Sequence, residues 1–73
     1  MKEVVSEGVS LRDILEHGAW ANAYGEASQI RKMEAIVLLR SGGRIVDHGA
    51  GWRKIACRGL VFTQRITTRR RAT

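Results

Sequence analysis

The sequence predicts an α+β fold: two helices followed by a small antiparallel sheet made of a hairpin and a third strand. Two observations carry this. Between positions 11 and 40 apolar residues recur at helical spacing. After Gly43 the pattern shortens to strand-like runs broken by Gly49-Ala50-Gly51 and by Gly59. Length sets the scale, because 73 residues suffice for one domain. A chain this short buries only about 60% of its unfolded surface, so modest stability is expected.

Residues 3–9 (EVVSEGV) are rich in valine and read as a short strand or an extended arm. Ser10 follows as a helix N-cap, with Asp13 three residues on in a variant of the capping box. Leu11, Ile14 and Leu15 form the apolar stripe of the first helix, and Gly18, Ala19 and Ala23 let a neighbour pack closely. Trp20 and Tyr24 stand four apart and therefore share a face. Gly25 suits the left-handed position just past a helix end, with an earlier stop at Gly18 as the alternative, since an interior glycine costs about 1 kcal/mol.

The second helix is predicted over residues 26–40. Ala27, Ile30, Met33 and Val37 trace its inward stripe, and Ile36, Leu38 and Leu39 broaden it. Glu26 and Arg40 complement the two ends of the helix dipole, and Ser41-Gly42-Gly43 ends it. Residues 44–48 then read as a strand, 49–51 as a turn, 52–57 as the returning strand and 60–66 as the third strand, with Gly59 at a bulge or second turn. Residues 67–73 are expected to form a mobile basic tail.

Several function classes lose support at once. The first residues lack the long apolar stretch of a secretory signal, and the longest apolar run, residues 35–39, is far too short to span a bilayer. Cys57 is the single cysteine, so no internal disulfide forms. A soluble cytoplasmic protein without membrane contact is expected. His17, His48 and Cys57 are not spaced as zinc ligands or as a nucleophile with its base, so no catalytic residue, metal or cofactor is expected. Gly42-Gly43 and Gly49-Ala50-Gly51 lead into strands rather than helices, which argues against a phosphate-cradling loop.

Charge is the most informative feature. Residues 1–36 carry four basic and six acidic residues, whereas residues 37–73 carry nine basic residues against Asp47 alone. Arginine outnumbers lysine ten to three, and its planar fork suits phosphate and stacking contacts. Arg53, Lys54, Arg58 and Arg65 fall on the predicted strands, and Arg69, Arg70 and Arg71 extend from their end. Trp52 adds a stacking surface beside them. These residues are expected to contact nucleic acid through its phosphate backbone, without reading base sequence. The acidic first half is expected to hold a protein partner through Val4, Val5, Leu11 and Trp20, with a place in the core as the competing role for Leu11 and Trp20.

Two helices and a hairpin also make the skeleton of a winged helix-turn-helix DNA-binding repressor, with residues 26–40 as recognition helix and 44–58 as wing. The apolar second half of that helix argues against it. A basic RNA-binding or ribosome-associated protein is a further alternative.

The stretch WANAYGEASQIRKMEAIVLLRSGGR, combined with the ending WRKIACRGLVFTQRITTRRRAT, resembles the small antitermination factors of lytic Xanthomonas phages. The likeness extends over the whole chain. It implies a non-enzymatic monomer that binds the largest subunits of host RNA polymerase near the RNA exit channel. There it would block promoter-specific initiation and let elongation pass terminators, with basic residues near nascent RNA. The resemblance assigns no contact residues. Those named above rest on charge and exposure.

Overall fold

Valines at 4, 5 and 9 surround Glu7-Gly8, and the chain folds back on itself there. In the computed structural model, which describes residues 3–66, β1 (Val5–Ser6) and β2 (Val9–Ser10) form an antiparallel hairpin. Both turn residues lie at positive φ.

The next element, α1 (Leu11–Ala23), begins directly at the hairpin. Ser10 is its N-cap, but its hydroxyl does not cap the helix. It donates instead to the carboxylate of Glu3, and the same oxygen accepts the Arg12 N–H at 3.3 Å. The Leu11 N–H goes to the Val4 carbonyl at 2.9 Å. A carboxylate from the arm thus takes the place expected for the Ser10–Asp13 pair and sits at the positive end of the helix dipole. The Ser10 hydroxyl, then the Arg12 N–H, hold the Glu3 carboxyl below its usual range.

The expected helix over 26–40 is corrected. Its first part is a strand, β3 (Ser28–Ile30), and only then does α2 (Lys32–Arg40) begin, the Glu34 carboxylate accepting the Arg31 N–H at 2.7 Å. β3 pairs in parallel with a strand more than thirty residues downstream, Ser28 opposite Phe62 and Ile30 opposite Gln64. Ile30 points inward in either conformation, so the local pattern did not separate them. Met33 is half-buried, whereas Val37 and Ile30 are core.

The remaining strands, β4 (Arg44–Gly49), β5 (Trp52–Cys57) and β6 (Leu60–Arg65), follow the sequence closely. The expected fold is nonetheless overturned in its order and its sheet. The chain runs hairpin, helix, strand, helix and three strands. The main sheet is mixed, in the order β3-β6-β5-β4, with β3 as its parallel edge. The two-helices-then-hairpin skeleton of a winged helix is absent from this order. No helix among the described residues is long and apolar enough to cross a membrane.

One face of the sheet is covered by helices. Ile30, Ile55, Cys57 and Phe62 meet Leu11, Ile14, Ala35, Val37 and Leu38 there. Phe62 is fully buried, and its ring lies so close to Gly18 that a Cβ there would stand 2.5 Å from two ring carbons. Asn22, one turn further along α1, extends the sheet. Its Oδ1 accepts the Val61 N–H at 2.9 Å, and its Nδ2 donates to the Val61 carbonyl at 3.1 Å and to Gly18 at 2.9 Å. The side-chain amide thereby pairs with Val61 as the backbone of a neighbouring strand would.

Two outcomes follow from this packing. Overpacking costs about 1–3 kcal/mol, whereas Gly→Ala in a helix interior otherwise gains about 1 kcal/mol. With a fully buried ring in the way, Gly18→Ala is expected to lose about 2 kcal/mol net, lowering Tm by on the order of 10 °C. Adding Phe62→Leu should recover part of that loss, and strictly additive losses would refute the contact. Glu3 is exposed, and its depressed pKa sets the sign of the pH effect. Its contribution is present above the carboxylate's unfolded pKa and disappears as pH falls through the lower folded value. Glu3→Gln should therefore lower Tm at neutral pH, and the gap to the parent should close in acid.

Candidate nucleic-acid interface

Alternation along β5 and β6 sorts the basic residues by face. Ile55, Cys57, Phe62 and Gln64 point to the helices. Their neighbours Trp52, Lys54 and Ala56, and Val61, Thr63 and Arg65, therefore point to the uncovered face. The register sets Trp52 opposite Arg65 and Lys54 opposite Thr63. On β4, Arg44 lies opposite Ala56 and Asp47 opposite Lys54. At the other edge, Gln29 is exposed beside Thr63.

Trp52 stands at the end of this face beside the turn at Gly49 to Gly51. Its ring covers Gly49, where an added Cβ would come within 2.6 Å of the indole, so the close approach requires glycine on the paired strand. The Lys54 Nζ stands 6.0 Å from the ring centroid, at the outer limit of a cation–π contact. Trp52 and Lys54 are half-buried, and Arg65 is exposed. An aromatic side chain flanked by Lys54 and Arg65, with Arg44 further along the same face opposite Ala56, offers stacking for a base and cations for nearby phosphates. Asp47 is the one acid on this face among the described residues, and it accepts the His48 N–H at 2.9 Å.

The other expected nucleic-acid contacts are distributed differently. Arg53 lies on the helix-covered face, half-buried, and its Nε donates to Gln64 Oε1 at 2.6 Å. Arg58 sits at the opposite end of the sheet in the Arg58-Gly59 turn between Cys57 and Leu60, exposed and at φ 51. Arg69, Arg70 and Arg71 lie outside the described residues, as does the whole of the expected tail over 67–73. Lys54 and Arg65 thus share a surface with Trp52, while Arg53 and Arg58 do not. Arg44, which is not among the contacts expected from the sequence, lies on this face as well, and period-two alternation after Gly43 would have placed it there.

The expected protein-partner residues separate as well. Leu11 is buried in the core at 6% exposure, and Val4 packs against that core. Their side chains serve folding. Val5 on β1 is 53% exposed and Trp20 is 69% exposed. Trp20 meets Tyr24 edge-on, with ring centroids 5.6 Å apart at 66°. Glu16, His17 and Trp20 line an open hollow beside them. This outer face of α1 points away from the sheet, because Leu11, Ile14 and Gly18 are the helix's buried positions.

No group of three metal-ligating side chains occurs among the described residues. Cys57 is buried, and that burial pushes its thiol pKa up despite the nearby Arg58 charge. No family model matches this chain, and no curated protein or solved structure matches it either.

Arg58 gives a direct check on the turn. A two-residue hairpin turn with both residues at positive φ favours Asn-Gly, and a Cβ-bearing side chain other than Asn or Asp there costs about 1 kcal/mol. Arg58→Asn should stabilise the fold by about 0.5–1 kcal/mol in denaturant titration. A loss of stability would mean that the guanidinium holds a structural partner.

Proposed function

We propose that this chain is a non-enzymatic transcription regulator that binds bacterial RNA polymerase near the RNA exit channel and sets basic residues against emerging RNA. The observation that supports it is the separation of two chemically different surfaces. The uncovered sheet face presents Trp52 among Arg44, Lys54 and Arg65. The outer face of α1 presents the Trp20–Tyr24 pair beside Glu16. The first suits single-stranded RNA, whose unpaired bases stack on an aromatic side chain while its phosphates meet cations. The second suits a protein, since exposed aromatic residues are the common anchors of interfaces. The resemblance to phage antitermination factors agrees with this division and supplies the identity of the protein partner.

The mechanism is differential affinity. A monomer in the host cytoplasm that binds an elongating polymerase more tightly than a promoter-bound one withdraws enzyme from initiation and favours read-through. A cation-lined face beside the exit channel would compete with folding of the terminator hairpin by holding its strand unpaired. Arg69, Arg70 and Arg71 would add phosphate contacts to that face, and Val5 would add apolar contact on the polymerase side. A second reading, a basic RNA- or ribosome-binding protein, uses the same sheet face but gives Trp20 no role.

Trp20→Ala separates the two readings, because truncating an exposed side chain should change stability by less than about 1 kcal/mol. The folded variant is expected to lose capture of polymerase subunits from lysate while keeping RNA affinity. Capture of ribosomes by both proteins, and of polymerase by neither, would favour the second reading. About four phosphate contacts on single-stranded RNA imply a slope of log affinity against log salt near −3, roughly a fifty-fold loss between 50 and 200 mM. Changing Arg69, Arg70 and Arg71 to alanine should flatten that slope and weaken terminator read-through while leaving polymerase binding in place. Equal slopes would remove the tail from the RNA contact.

A further inference from the structure

The helix-covered side of the sheet carries a second cationic feature, which shares only Arg65 with the stacking face. Lys32, Arg53 and Arg65, with Ile36, Gln64 and Ile66, line an open groove of about 510 Å³ between the start of α2 and the end of β6. Among the described residues none of its lining is acidic, so three cations converge there with no carboxylate of that lining to offset their repulsion. Gln64 is the telling residue. It is only 6% exposed, and its Oε1 is taken by the Arg53 Nε at 2.6 Å. Its amide nitrogen has no partner among the described residues. Gln64 is itself one of the residues that line the groove. The bond to Gln64 also fixes the Arg53 guanidinium, leaving its two terminal nitrogens available to a ligand.

We propose that this groove is a phosphoryl-binding site. Lys32, Arg53 and Arg65 hold the phosphate oxygens, the Gln64 amide donates one further hydrogen bond, and Ile36 and Ile66 flank the attached nucleoside. Arg65 belongs both to the groove and to the face opposite Trp52, so one nucleic-acid strand that stacks on Trp52 continues round the end of β6 into the groove. The proposal rests on the nucleic-acid reading above for the source of its phosphoryl group, but the site's chemistry stands on its own residues.

The test follows the Gln64 side-chain amide and the Arg53 Nε–H by NMR in the full chain, with inorganic phosphate, uridine, uridine 5′-monophosphate and oligouridylate as probes. Saturable shifts at both groups are expected with phosphate and with the monophosphate, and none with uridine. Gln64→Glu keeps a bond acceptor for Arg53 while adding a negative charge, and should weaken phosphate at least about tenfold. Lys32→Gln, an exposed change that spares the Arg53–Gln64 bond, should weaken it several-fold. Phosphate binding unchanged in both variants, or phosphate shifts confined to other residues, would overturn the site. Trp52→Ala should weaken oligouridylate but leave the phosphate shifts intact. If oligouridylate binds the parent and Gln64 responds to no probe, the groove fails and the stacking face survives. If phosphate binds the groove and oligouridylate binds nowhere, the groove stands and the nucleic-acid reading falls.

Discussion

The contact between Phe62 and the backbone of α1 at Gly18 is the constraint on which the arrangement turns. A fully buried ring on a central strand lies where a side chain on the helix would otherwise stand. The helix therefore sits close enough for Asn22 to reach the backbone of Val61 and continue the sheet by one residue. Glycine in a helix interior is unfavourable by about 1 kcal/mol, and the ring packed against it is what offsets that cost. The Glu3 carboxylate tethers the opposite end of the same helix to the first hairpin.

This docking decides which surfaces remain free. With α1 and α2 on one side of a single sheet, the other side has no cover among the described residues. Trp52, Lys54, Arg44 and Arg65 fall there by strand alternation. The same docking turns Trp20 and Tyr24 outward, because the inward positions of α1 are taken by Leu11, Ile14 and Gly18. Glu16 and the Trp20–Tyr24 pair thus lie on an outer helix face, while Arg44, Lys54 and Arg65 lie on the sheet face.

Much of this was legible where local pattern and tertiary role coincide. Leu11 and Ile14, the stop at Gly25, the turn at Gly49 to Gly51 and the turn at Gly59 mark α1 and the last three strands as the structure has them. β3 was not legible. Its stability comes from parallel pairing with a distant strand, and Ser28-Gln29-Ile30 is too short for its own alternation to outweigh the helical stripe around it. That one error hid Lys32 as the first residue of α2, beside the groove. Grouping Arg53 with Lys54 as neighbours in sequence overlooked that neighbours on a strand face opposite ways. The buried Ile55 and Cys57 were the signal that Arg53 belongs with them. Gln64 was likewise identifiable from its spacing to Phe62, but a glutamine among strand residues carries no charge to draw notice.

The central claim is that the uncovered sheet face meets RNA while the outer face of α1 meets protein. The two tryptophans report on these surfaces separately, Trp52 in a Trp20→Phe background and Trp20 in a Trp52→Phe background. The most direct measurement is fluorescence of each single-tryptophan protein titrated with single-stranded RNA and then with polymerase. The account predicts that RNA quenches Trp52 and leaves Trp20 unchanged, and that polymerase alters Trp20. Quenching of Trp20 by RNA with Trp52 unaffected would contradict it.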